Sequence, residues 1–325
     1  MASGEDDLIA RYFRPLATAP GALGLIDDAA LLASSSDDLV LTTDAVVEGV
    51  HFLPDDPPDA VARKALRVNL SDLAAKGATP AGFLLTLALR EVKEAWLAPF
   101  ARALGEDAAA FGCPLLGGDT VSTPGPAMVS ITAFGRVPAG RMVRRAGARA
   151  GDRVAVTGTV GDAALGLLLL KGRIAREALD APARDFLIGR YRVPQPRNAL
   201  APAIRDHASA AMDVSDGLAG DLAKLCAASG VSAEIDMAEV PLSEPARAVI
   251  GAVPSGMEAV VSGGDDYEVL CAIPENRWAD FQEASQRAGV PVTAIGRITA
   301  GEGAPRFLDA QGRAIALKRL SYSHF

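Results

Sequence analysis

Between Pro57 and Lys76 the apolar residues Val61, Ala62, Ala65, Leu66, Leu70 and Leu73 recur at the three- and four-residue spacing of an α-helix. Pro57-Pro58-Asp59 opens the segment, Gly77 and Pro80 close it, and Asn69 and Asp72 share a second face. A further amphipathic helix is predicted at about 94–111, between strands at 83–89 and 128–134. Residues 8–13 read as a short helix, and 24–32 as an apolar, strand-like segment carrying Asp27 and Asp28 side by side. A plain turn would use an Asp-Asp pair equally well.

Past residue 150, strand and helix signals alternate. Strands are predicted at 153–157, 269–273 and 290–295, helices at 162–171, 218–228 and 278–288, and a short apolar segment at 210–214. This alternation belongs to an α/β or α+β domain. The stretch 138–151 is rich in Gly, Ala and Arg and reads as a boundary, giving domains of 1–139 and 140–325. Two domains also suit a chain of 325 residues, long for a single core.

Composition narrows the class. A net charge of -8 and an aromatic share of 5% argue against a nucleic-acid surface. Cys113, Cys226 and Cys271 are odd in number and lack C-x-x-C spacing, so neither a disulfide framework nor a zinc site is indicated. Glu5, Asp6 and Asp7 stand where a signal peptide would be basic, and the longest apolar run, at 165–170, is too short for a bilayer. The expectation is a cytoplasmic protein without membrane or nucleic-acid partners.

Candidate chemistry lies in carboxylates beside apolar segments. The stretch 41–52 joins Thr42, Thr43 and Asp44 to His51, one of three histidines. Leu116-Gly117-Gly118-Asp119-Thr120 is a junction where paired glycines let backbone approach a ligand, although a turn has the same composition. Asp213-Val-Ser215-Asp216-Gly217 leads into a helix, where Ser215 or Asp216 would serve as an N-cap or face a metal. Gly158-Thr-Val-Gly161-Asp162 is similar to a phosphate-binding turn without matching either standard glycine motif. Asp72 is either a metal ligand or a solvated charge beside Lys76. Oxygen donors without cysteine, and with few histidines, suit a hard ion, Mg2+ foremost, and Mg2+ commonly bridges nucleotide phosphates.

Six segments in order resemble the thiamine-monophosphate kinase family, in the superfamily of aminoimidazole ribonucleotide synthetase and selenophosphate synthetase. They are Ile26-Asp-Asp-Ala-Ala, the run Thr42 to Phe52, the run Lys64 to Ala75, Leu116-Gly-Gly-Asp-Thr, Asp213-Val-Ser-Asp-Gly and Ser262-Gly-Gly-Asp-Asp-Tyr-Glu, with Tyr322-x-His-Phe at the end. The resemblance implies an N-terminal α/β domain pairing in a homodimer and a C-terminal α+β domain closing the active-site cleft. It implies several Mg2+ ions on Asp28, Thr42, Thr43, Asp44, Asp72, Asp119, Asp213 and Asp216, with Asp27 a further candidate. It implies ATP contacts at Gly118, Asp119, Arg145 and Ser215, and thiamine monophosphate contacts at His51, Asp265 and Tyr322. Two departures stand out: the family's Gly before the Asp pair is missing, and Asp265 replaces its usual Glu. Arg144, adjacent to Arg145, competes for the ATP role.

The activity implied is direct, Mg-assisted, in-line transfer of the γ-phosphoryl group of ATP to thiamine monophosphate, giving thiamine diphosphate. A phosphate monoester has a second pKa of about 6, so the attacking oxygen is already deprotonated at neutral pH and no general base is needed. The alternatives are a sibling ATP-dependent synthetase and a non-catalytic Mg-nucleotide-binding regulator. A selenophosphate synthetase would carry a reactive Cys or selenocysteine in its N-terminal loop, and no cysteine precedes Cys113.

Overall fold

The computed structural model describes residues 7–26, 29–253 and 256–321. The chain forms two units, Met1–Leu73 with Ala78–Gly140, and Ala74–Gly77 with Arg141–Phe325.

The first unit contains β1 (Asp38–Val47), α1 (Pro58–Ala75, whose last residues belong to the second unit), β2 (Thr79–Leu89), α2 (Glu94–Ala110), β3 (Leu115–Ser122) and β4 (Met128–Val137). The sheet order is β1-β4-β2-β3, antiparallel except for the β2/β3 pair. Because side chains alternate along a strand, one face carries Phe83, Leu85, Leu87, Val129, Ile131 and Ala133 into a core with Leu66, Leu70 and Leu73 of α1 and Leu97, Phe100 and Leu104 of α2. On this face Gly135 lets α1 lie close, since a Cβ there would sit 2.9 Å from a methyl of Leu73. The other face carries no α-helix among the described residues, and Leu39, Leu41, Leu84 and Val121 remain exposed.

Two expectations are corrected here. The described residues of the 24–32 segment form no strand: Pro20–Leu25 is a 3-10 helix in which Leu23, Gly24 and Leu25 take φ of 51°, 63° and 53°, left-handed backbone that a strand does not use, and Asp27 and Asp28 lie outside the described residues. The Gly117-Gly118-Asp119 segment is not a turn but the middle of β3. A Cβ on Gly118 would lie 1.9 Å from the Leu85 carbonyl oxygen, so glycine is what lets β3 pair with β2 at that point.

The second unit contains β5 (Arg153–Thr157), α3 (Asp162–Leu170), α4 (Ala181–Arg192), α5 (Ala201–His207), β6 (Ala210–Val214), α6 (Leu218–Ser229), β7 (Ser232–Asp236), α7 (Glu244–Val249), α8 (Gly256–Ser262), β8 (Glu268–Ile273), α9 (Trp278–Ala288), β9 (Val292–Thr299), β10 (Arg306–Leu308) and β11 (Ala314–Ile315). Its sheet runs β11-β10-β7-β9-β5-β8-β6. Both faces of the central strands are covered, which explains why β8 reads as an unbroken apolar run rather than an alternation. Leu270 and Ala272 pack with Leu165, Leu187 and Leu222 on one side, while Val269, Cys271 and Ile273 pack with Leu200, Ile204 and Phe281 on the other. All three cysteines are buried free thiols. Burial pushes the Cys113 and Cys271 thiols up to about 12 and that of Cys226 to about 11. No helix among the described residues is long and apolar enough to cross a membrane.

Candidate functional site

In the first unit the strand period divides the Thr42-Thr43-Asp44 run. Thr42 and Asp44 point to the helix side of the sheet, where the Thr42 hydroxyl donates to the Asp72 carboxylate of α1. Thr43 points to the open side, its hydroxyl 3.1 Å from that of Thr132. Asp72 therefore joins the β1 cluster instead of pairing with Lys76, whose Nζ donates to the Ala211 carbonyl at 2.8 Å. One turn earlier on α1, Asn69 is fully buried; its amide donates to the Ala65 carbonyl, and its Oδ1 has no partner among the described residues.

Asp119 is exposed on β3, beside Thr86 in register and on the open face. A cavity of about 800 Å³ borders Gly118 and Asp119, with Leu84, Thr132 and Phe134 among its walls. That volume is in the range of small-molecule sites. His51 sits just past β1, where its Nδ1 accepts the Val47 N–H at 3.1 Å and its carbonyl accepts from the buried Lys64 ammonium at 2.8 Å. With Nδ1 an acceptor, the ring's donor is Nε2–H. That is suited to hydrogen bonding an anion and not to removing a proton through Nδ1.

In the second unit Asp213 is buried near the end of β6. Ser215 and Asp216 follow, but neither caps α6: Gly217 holds the cap position at φ 119° without a side-chain bond. The cap-like role falls to Asp221 in the first turn, which accepts the N–H groups of Ser215 at 3.0 Å and Asp216 at 2.9 Å. Lys224, one turn on, bridges the Asp216 and Asp221 carboxylates. Burial raises the Asp221 pKa against the pull of Lys224. Partial burial works against the Lys224 ammonium, yet its bonds to Asp216 and Asp221 outweigh it and raise its pKa. Glycine is required at 217, where a Cβ would come within 2.7 Å of the Ser262 backbone.

The Gly158-to-Asp162 turn does not offer a vacant phosphate cradle. The N–H groups of Gly161 and Ala163, at the start of α3, donate to Asp266. Burial pushes the Asp266 carboxyl well above the usual range, the Gly161 N–H opposing it and neighbouring Asp162 adding to it. Asp162 is raised by burial too, although Ser243 and Thr159 donate to it. Glu268, fully buried, takes a fork from Arg197, one bond from Arg190 and one from the Thr157 hydroxyl. Arg144 and Arg145 both carry exposed side chains on a loop held by its backbone: the Arg144 carbonyl accepts from Ala211 and that of Arg145 from the Ser229 hydroxyl.

Asp27, Asp28 and Tyr322 lie outside the described residues. Among the described residues, no three His, Cys, Asp or Glu side chains gather closely enough to hold a metal unaided. Sequence reasoning missed Asp221, Lys224, Asp162, Asp266, Glu268, Arg190 and Arg197. The i,i+3 spacing of Asp221 and Lys224 was a visible signal, and Asp266 and Glu268 stood inside a quoted motif. Nothing local marked the two arginines.

Comparisons with known proteins follow the same two-part division. The family models for AIR synthase related protein match in sequence order, the N-terminal domain over residues 26–137 and the C-terminal domain over 149–307. The chain is 46% identical to a thiamine-monophosphate kinase of Caulobacter vibrioides, covering 98% of this chain and 90% of the relative. It is 42% identical to that of Escherichia coli K12, covering 100% and 99%. Among solved structures, a thiamine-monophosphate kinase from Stenotrophomonas maltophilia superposes with a TM-score of 0.85 at 37% identity, over 97% of this chain and 99% of that one. AaThiL complexed with AMPPCP and TMP superposes with a TM-score of 0.78 at 33% identity, over 94% and 97%.

Proposed function

We infer the activity from one premise: the chain belongs to the AIR synthase related family and, within it, to the thiamine-monophosphate kinases. It is a kinase that uses ATP to phosphorylate thiamine monophosphate, yielding thiamine diphosphate and ADP. The observation that carries this is the end-to-end match with kinases of that specificity, one of them solved with an ATP analogue and TMP.

The finer chemistry is our proposal. Several Mg2+ ions take between them, as oxygen ligands, Thr42, Asp44 and Asp72 on the helix side of the first unit's sheet, Thr43 and Asp119 on its open side, Asp213 and Asp216 of the second unit, and Asp28. Their donor chemistry fits the ion, being hydroxyl and carboxylate oxygen throughout. When bound, the ion neutralises phosphate charge and supports in-line displacement. Gly118, Asp119, Arg145 and Ser215 hold ATP; His51, through Nε2–H, Asp265 and Tyr322 hold thiamine monophosphate. Gly118 and Asp119 are in place for that role because both line the cavity on the first unit's sheet. The proposed compartment is the cytoplasm, where ATP is the phosphoryl donor and thiols stay reduced.

A coupled ADP-release assay over phosphorylated acceptors tests the reading. Thiamine monophosphate should be the preferred acceptor, and ADP release with another acceptor alone would refute it. With no general base, kcat/KM should be flat above about pH 7 and fall below about pH 6, as the substrate's phosphate takes up its proton. A rise in kcat/KM on acidification to pH 5 would contradict the attack by a dianion.

We propose further that the chain is a homodimer through the open face of the first unit's sheet. Leu39, Leu41, Leu84 and Val121 are exposed there and β1 is an edge strand ten residues long, a combination that a soluble chain rarely leaves uncovered. Light scattering should give twice the 33.5 kDa chain mass, and Leu41→Glu should shift it to the monomer. A wild-type monomer would sink this assignment.

A further inference from the structure

Two residues of the second unit stand in left-handed backbone although neither is glycine: Asp265 at φ 72° and Tyr267 at φ 52°. Such conformations are unfavourable for side chains with a Cβ, and they persist only where the surroundings impose them. The residues that impose them alternate with the strained pair. Asp266 is fully buried, its Oδ2 accepting the Gly161 N–H at 2.7 Å and its Oδ1 that of Ala163 at 3.4 Å. Glu268 is fully buried in the fork of Arg197 and the contact of Arg190, and Arg190 also donates to the Asp266 carbonyl at 3.3 Å. The same segment is tied along its backbone to the Asp213-to-Gly217 turn. The Asp265 N–H donates to the Ser215 carbonyl, and the Tyr267 N–H to that of Val214, each at 2.8 Å. Gly264 allows this approach, since a Cβ there would meet the Ser215 oxygen at 2.5 Å.

Two inward carboxylates thus turn the side chains of Asp265 and Tyr267, both half-buried, away from the core. A helix start able to hold a ligand phosphate is given over to an internal carboxyl group, which makes the seat independent of substrate. We propose that Asp266 is a positioning residue for the phosphate acceptor. Its seat on the start of α3 fixes residues 265–267 so that Asp265 and Tyr267 are presented together to thiamine monophosphate, Tyr267 being a further contact of that substrate. This rests on the kinase reading above, in which Asp265 is a substrate contact. Shortening the family's usual Glu to Asp at 265 makes the backbone direction of that residue more important, because less side chain is left to correct it.

The test uses the full chain with ATP and thiamine monophosphate. Asp266→Asn keeps the volume but replaces one acceptor by a donor facing a backbone N–H. The expected result is a KM for thiamine monophosphate raised about ten-fold, with kcat and the KM for ATP changed by less than about two-fold. Asp162→Asn, at the same helix start but bonded to Ser243 and Thr159, should leave both KM values within about two-fold whatever its thermal midpoint. An unchanged thiamine monophosphate KM in Asp266→Asn, or an equal rise in both KM values, would reduce Asp266 to a structural group.

A second pair covers the case in which Asp266→Asn does not fold. Tyr267→Gly and Tyr267→Ala both remove the ring, so both should raise the thiamine monophosphate KM alone, but only glycine relieves the backbone. The glycine variant should therefore melt at the higher temperature. Equal midpoints would mean that the segment is not held against its preference, and an unchanged KM would remove Tyr267 from the substrate. If the wild-type chain itself released no ADP with thiamine monophosphate, the kinase reading would fail instead, while the midpoint comparison would still report on the strained segment.

Discussion

Replacing Glu268 by alanine should destabilise the second unit by about 3–5 kcal/mol, the range for removing one partner of a buried, hydrogen-bonded charge cluster. The side chain is fully buried and accepts from Arg190, itself only 9% exposed, from Arg197 and from Thr157. Without it, the Arg190 and Arg197 guanidiniums lose the carboxylate they are bonded to, and the Thr157 hydroxyl loses its acceptor. The loss of the partner decides the outcome more than the loss of the pair's attraction, since desolvation had already cancelled much of that attraction. Glu275 provides the contrast. It also takes two bonds from an arginine, Arg153, but both groups are on the surface. Glu275→Ala should move the denaturation midpoint little. Chemical denaturation of both variants checks the pair, and a Glu268→Ala chain as stable as the Glu275→Ala chain would show that the buried cluster relaxes freely.

Asp72→Asn should lower kcat by about 10²–10³-fold while leaving the thermal midpoint close to wild type, a loss of the size seen when one preorganised electrostatic group is removed. The amide oxygen still accepts from the Thr42 hydroxyl, so the tie between α1 and β1 is retained. What disappears is a negative charge directed at the proposed Mg2+. Steady-state ADP release, with Mg2+ titrated at saturating ATP, measures both turnover and the metal concentration required, and the latter should rise. Wild-type turnover at ordinary Mg2+ would take Asp72 out of the ligand set and leave it as a helix-to-strand tie.

Much of the scaffold was legible because its signals are local. The helix predicted at 278–288 is α9, Trp278–Ala288, and the pattern at 57–76 became α1, Pro58–Ala75. Both have an apolar stripe on one side and polar residues on the other, a pattern that only a helix satisfies. The strand through Gly117-Gly118-Asp119 was not legible because two glycines suit a turn equally well, and here the requirement for glycine comes from the Leu85 carbonyl on a neighbouring strand, which local composition does not display. β7, β10 and β11 escaped for a related reason: β10 has three residues and β11 two, too few to show a period.

The candidate site was legible as a set of residue types and not as a set of partnerships. Thr42 and Asp72 are thirty residues apart, and Arg190 and Glu268 seventy-eight. In sequence each charge resembles one facing water, and nothing in the motif distinguishes Asp266 from Asp265 beside it. Only the fold separates them, one turned into the start of α3 and the other away from the core.

The three buried cysteines have a practical consequence. A thiol with a pKa near 11 or 12 is almost wholly protonated at neutral pH, and burial also keeps reagents from reaching it. The native chain therefore presents no reactive thiol to oxidants or alkylating agents, and each modified cysteine records an opening event. Cys113 lies in the first unit and Cys226 and Cys271 in the second. Mapping which sulfur is modified first would thus time the opening of each unit with three reporters that the natural sequence already carries.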